Sequence, residues 1–157
     1  MSVIRVVWGT AEGPTELAAY DAALAAAGVE NYNLVTLSSV IPTAPMLEVV
    51  GTAPDLGAVG NELRVVQSRA EAAPSETAAA GIGWARSESG RGIFYEVAGQ
   101  TADAVEAEID EGLAAGKNLR DWDFTEQEVV VRTATAPADG YAVAVVLATF
   151  GESRPIL

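Results

Sequence analysis

The chain has 157 residues, of which 50% are hydrophobic, while Trp, Tyr and Phe together make up only 6%. Twenty-two acids against nine bases give a net charge of −13, which argues against nucleic acid or an anionic membrane as partner. With no Cys and no His, the sequence excludes disulfides, thiolate nucleophiles, imidazole bases, the common zinc sites and a Ser-His-Asp triad.

The length suits one domain, residues 1–157. No apolar run approaches the ~20 residues of a membrane span, and Met1 to Arg5 lacks a signal-type pattern, so the cytoplasm is the expected location. Lys117 is the single lysine beside eight arginines. It follows a predicted helix end at Gly116, a place for a surface charge rather than for a buried lysine holding pyridoxal phosphate. The acidity has two readings, attraction of cationic ligands or a solvated surface suited to high salt. The scatter of the acids favours the second.

Val3 to Trp8 is mostly apolar and predicts a strand buried on both faces, with Gly9 to Gly13 as a loop. Pro14 and Glu16 mark the first turn of a helix that runs to about Ala27 and stops at Gly28. Leu17, Asp21, Leu24 and Gly28 fall on one stripe of it. Asp21 is therefore either a boundary acid or a buried one, and a buried one needs a partner such as a cationic ligand.

From Asn33 a short apolar strand leads to Ser38-Ser39 and then Pro42, which cannot donate to a sheet ladder. The plain reading is a strand end whose hydroxyls cap a turn. The other is a place where a backbone carbonyl and a neighbouring hydroxyl are held face to face.

Met46 to Val50 and Leu63 to Ala70 read as strands, the second with Leu63, Val65 and Gln67 on one face. Pro74-Ser75-Glu76 is a turn. Thr77 to Ala85 is a strand whose Gly81 and Gly83 lie under close packing. Gly92 to Gly99 is the next strand. Glu96 interrupts its apolar run and shares a face with Phe94 and Ala98. Either that face is solvated, or the carboxyl sits among apolar groups where it can hold and give a proton.

Thr101 caps a second helix that ends at Gly116, with Ala102, Val105, Ile109 and Leu113 as its apolar row. Trp122 and Phe124 anchor the next turn. Glu126 to Thr135 and Tyr141 to Phe150 read as paired strands around Asp139-Gly140. The predicted class is α+β, an αββα sandwich of two mainly antiparallel sheets flanked by helices. Gly81-Ile82-Gly83 lacks the third glycine and the helix of a dinucleotide site.

Asp21, the segment from Asn33 through Ser38-Ser39 to Pro42, and Glu96 after Gly92 line up in order and spacing. In this the chain resembles the pyruvoyl-dependent arginine decarboxylases of archaeal type, and its acidity is like that of a halophile. The likeness covers most of the chain. It takes in Trp8-Gly9-Thr10-Ala11-Glu12-Gly13, Tyr20 to Leu24 with Gly28, Pro74-Ser75-Glu76-Thr77, and Gly92 to Glu96. Asn-x4-Ser-Ser-x-x-Pro is its most specific piece. The chain departs from the family at Ser75, where a glycine is expected, in the segment from Gly51 to Asn61, and in the glycine-rich strand.

The resemblance implies self-cleavage between Ser38 (cleavage site) and Ser39 (pyruvoyl precursor). The Ser39 hydroxyl attacks the Ser38 carbonyl to give an ester. β-Elimination leaves dehydroalanine, which loses ammonia to become a covalent pyruvoyl group. Residues 1–38 become a β chain and 39–157 an α chain. Asn33 would orient the scissile carbonyl. The pyruvoyl carbonyl would serve as electron sink while L-arginine loses CO2 to give agmatine. Glu96 matches the general acid, Asp21 the carboxylate that receives the guanidinium, and Leu24 a contact for the substrate's methylenes. A homotrimer, or a dimer of trimers, with active sites between subunits is also implied, and no metal. Two alternatives stay open: a pyruvoyl enzyme for a different amino acid, and a non-catalytic trimeric binding protein of the same fold.

Overall fold

The computed structural model describes residues 2–157 and contains two helices and nine strands among them. In chain order these are β1 (Val3–Gly13), α1 (Glu16–Ala27), β2 (Asn33–Thr36), β3 (Val40–Ile41), β4 (Met46–Gly51), β5 (Glu62–Ala72), β6 (Thr77–Ser87), β7 (Gly92–Gly99), α2 (Ala102–Asn118), β8 (Phe124–Thr135) and β9 (Tyr141–Phe150). One sheet runs β2-β5-β9-β1-β4 and the other β3-β7-β6-β8. All pairings are antiparallel except β1 with β4 and β2 with β5. The result is the expected αββα sandwich.

Three apolar layers hold it together. Between the sheets lie Val6, Val66, Ile82, Trp84, Phe94 and Val146 with many alanines. Outside the larger sheet α1 buries Ala19, Ala23, Leu24 and Ala27 on Val7, Leu63, Val65 and Leu147. Outside the smaller sheet α2 buries Val105, Ile109 and Leu113 on β6 and β7. A Cβ at Gly81 would come 2.8 Å from both Val105 Cγ1 and Ile109 Cδ1, and one at Gly83 would collide with Ile109 Cγ2. The two glycines of β6 thus let α2 settle on the strand. Overfilling such a contact costs about 1–3 kcal/mol.

Both helices start at a threonine. Thr15 Oγ1 accepts from Ala18 N, and Thr101 Oγ1 accepts from Ala104 N, caps that contribute about 1 kcal/mol each. Gly28 closes α1 with φ 82°, the left-handed geometry that suits glycine.

Three expectations are corrected. Gly9–Gly13 is strand: β1 pairs with β9 from Ile4↔Phe150 to Gly13↔Tyr141. The glycines are there because α1 crosses close by; a Cβ at Gly13 would stand 2.6 Å from Ala19 N. Gly116 lies within α2, which continues to Asn118 and is capped at Leu119. A Cβ on Gly116 would sit 2.7 Å from Ile93 Cδ1, so it too marks close packing. Lastly, β8 and β9 do not pair with each other. β8 pairs with β6 at the edge of one sheet, and β9 lies between β5 and β1 in the other. A strand as apolar as β9, in which Thr149 is the one aliphatic hydroxyl, needs cover on both faces, which a central position supplies.

Candidate active site

Ser38 and Ser39 lie where the chain passes from one sheet to the other. β2 belongs to the five-stranded sheet, and Leu37 N extends its pairing by donating to Val65 O at 2.8 Å. β3 belongs to the four-stranded sheet, and Phe94 N donates to Ser39 O at 2.9 Å just before it begins. The serine pair is therefore pinned on both sides by ladders of different sheets. Ser39 takes up the mismatch with φ 66°. A residue with a Cβ held in this region stores of order 1–3 kcal/mol of strain. Ser75 also has a positive φ, 67°, at the turn where a glycine is expected.

The Ser39 hydroxyl donates to Glu96 Oε1 at 2.5 Å. Glu96 sits in β7 opposite Ile82 of β6 and is half-buried. Its second oxygen, Oε2, is buried without a hydrogen-bond partner. Neither sequence reading of its face was complete. The side chain is neither solvated nor enclosed in hydrocarbon: one oxygen meets a hydroxyl and the other is left over. A buried acceptor without a partner is costly, and this one adjoins the serine.

Ser38, Ser39 and Glu96 share the wall of a depression of about 460 Å³ with Tyr95, Leu119 and Arg120. The far wall is the last turns of α2. Gly112 allows it, because a Cβ there would run into the Tyr95 ring.

The other candidate residues lie elsewhere. Asp21 is exposed on α1, and Leu24 one turn on is 8% exposed. Both line a second shallow depression with Thr15, Leu17, Ala18 and Tyr20, which has no residue in common with the first. Leu17, on the same stripe, is 70% exposed. Asn33 opens β2, and its side-chain amide donates to Gly60 O at 2.8 Å. The structure thus brings Ser38, Ser39 and Glu96 together and leaves Asp21, Leu24 and Asn33 apart from them within one chain. Sequence reasoning passed over Arg120 and Tyr95. The one available signal was a lone arginine following a helix crowded with acids.

Comparison with known proteins puts the chain in the lyase class. It belongs to the pyruvoyl-dependent arginine decarboxylase family, whose model matches residues 3–155. A pyruvoyl-dependent arginine decarboxylase of Halobacterium salinarum is 48% identical over 157 residues, covering 99% of this chain and 98% of the relative. One of Thermococcus sibiricus is 35% identical over 130 residues, 80% of each chain. One of Methanocaldococcus jannaschii is 28% identical, over 91% of this chain and 87% of the relative. Membership implies a covalently bound pyruvoyl group generated from a serine. The residues around Ser39 fit such a group. Glu96 Oε2 is an unpartnered buried acceptor beside it, and open volume lies in front of it. No helix among the described residues is long and apolar enough to cross a membrane.

Proposed function

We infer that this chain is the precursor of an enzyme that cuts itself between Ser38 and Ser39 and then converts L-arginine to agmatine and CO2. The observation that carries this is the Ser39 hydroxyl held on Glu96 at a residue strained between two sheets. Glu96 Oε1 is placed to take the hydroxyl proton as Ser39 Oγ attacks the Ser38 carbonyl carbon. The Ser38–Ser39 C–N bond breaks and the released amine takes a proton. Loss of the Ser39 α-proton then expels the Ser38 carboxylate, and addition of water with loss of ammonia leaves a pyruvoyl group still amide-linked to Val40. The products are residues 1–38 and 39–157. Asn33 orients the scissile carbonyl in this reading, for which its amide must exchange the Gly60 carbonyl for that of Ser38.

The pyruvoyl group, once formed, supplies a carbonyl that accepts the electrons released with CO2. Glu96 then delivers a proton to the substrate's α-carbon, a role supported by its second oxygen being free of other partners. Asp21 receives the guanidinium through paired charge-assisted hydrogen bonds, and Leu24 packs on the methylenes. Asp21 and Ser39 line separate depressions of one chain, which supports a site completed by a neighbouring copy in a trimer or a dimer of trimers. The reading includes residence in the cytoplasm.

The mass of the denatured protein tests this. Two pieces split between residues 38 and 39 are expected, the larger one gaining two hydrogens on borohydride treatment, together with release of agmatine from arginine. Ser39→Ala should abolish all three. Active protein that proves to be one uncut chain with an ordinary serine at 39 overturns the proposal.

A further inference from the structure

Among the described residues, Arg120 is the only basic one on the wall of the Ser39 depression. None of the ion pairs among the described residues uses it, although the chain carries 22 acids. Its side chain is nonetheless held in place. Nη1 donates to Gly116 O at 2.9 Å, and the guanidinium lies 5.6 Å from the centre of the Trp122 ring. Arg91 lies at 4.6 Å from the same ring, so Trp122 carries a guanidinium as a further neighbour.

Its position has an electrostatic consequence. α2 ends at this depression, and the final carbonyls of a helix carry partial negative charge. Without Arg120 the wall would present those carbonyls together with Glu96 and would repel any anion. With Arg120 the depression offers a carboxyl at one side and a guanidinium at the other. An α-amino acid carries the matching pair, an ammonium and a carboxylate, on one carbon.

We propose that Arg120 receives the α-carboxylate of the substrate amino acid and so fixes which end of the substrate meets Ser39. A cation here also repels the substrate's own guanidinium, which turns the side chain out of the depression. The proposal rests on the decarboxylase reading above. The carboxylate loses its charge as CO2 leaves, so an ion pair with Arg120 is stronger in the bound substrate than in the transition state. Removing it should weaken binding without slowing the chemical step.

The test uses the mature protein, with arginine as substrate and agmatine, which lacks the carboxylate, as competing ligand. Arg120→Gln should raise KM for arginine about tenfold or more, as loss of a charge-assisted hydrogen bond predicts, while kcat stays level or rises. The inhibition constant of agmatine should not rise, since agmatine offers Arg120 no carboxylate to bind and only cations to repel. Arg120→Lys keeps the charge and should recover part of the KM. It also serves if the glutamine variant fails to fold. An unchanged KM in the glutamine variant (or in the lysine variant, should only that one fold), a parallel rise in KM and the agmatine constant, or a fall confined to kcat overturns the proposal. Wild-type protein that converts another amino acid but not arginine refutes the arginine reading alone. Arg120 is then judged by the same split between that amino acid and its amine.

Discussion

The depression at Ser39 and the one at Asp21 are built differently. The first lies at a seam between two sheets, floored by β7 and walled by α2, with its carboxyl already bonded to its serine. The second is a shallow surface on α1, where an exposed acid stands near a largely exposed leucine. In the first, the fold fixes a hydroxyl on a carboxyl before any ligand arrives. In the second, it fixes a helix and leaves the side chains to whatever covers them. Strain and burial thus go with the bond-making proposed for Ser39, and exposure with a recognition step that calls for a second surface.

The contrast sets an order of effects. Among substitutions that keep Ser39, Glu96→Gln should be the most damaging, lowering kcat by about 10²–10⁴-fold through loss of proton transfer, as measured by agmatine release. If uncut precursor also accumulates, as denaturing electrophoresis would reveal, Glu96 serves both steps. Asp21→Asn should leave cutting complete and raise KM for arginine by roughly 10–100-fold, in line with loss of a charge-assisted pair. Equal cutting and equal KM in that variant would break the contrast, because the α1 surface would then play no part.

The smallest effect is expected at Glu16, in the first turn of α1. Its hydrogen bond with Glu71, and then the negative charge of that residue, hold its carboxyl above the usual range. A folded-state value above the unfolded one means that this pair favours the fold at low pH and that the benefit is lost as pH rises through the folded value. Glu16→Gln should therefore raise Tm slightly at pH 7 and leave it level or lower at pH 3, as thermal scans at the two pH values would show.

Much of the frame could be read locally. β7 and β9 start and stop where their apolar runs do, and Thr101 and Gly28 close helix ends as their chemistry suggests. Glycines misled where distant backbone dictated them. Gly9 and Gly13 read as a loop, yet they mark the crossing of α1, and Gly116 marks Ile93 rather than a helix end. The serine pair stood out because adjacent hydroxyls before Pro42 break an apolar strand. That the pair bridges two sheets was not legible, since it depends on β5 and β7, which lie well downstream. Arg120 escaped notice for the same reason: its neighbours Ser39 and Glu96 are remote in sequence.

The strand order has a consequence for a chain cut after residue 38. β1 is threaded between β9 and β4, and β2 lies on β5, so each strand of the first 38 residues is stitched to later ones and none to each other. The short piece has no sheet of its own to retreat into. Once severed, the halves would travel as a single particle through dilution and purification, parting only when the whole assembly melts.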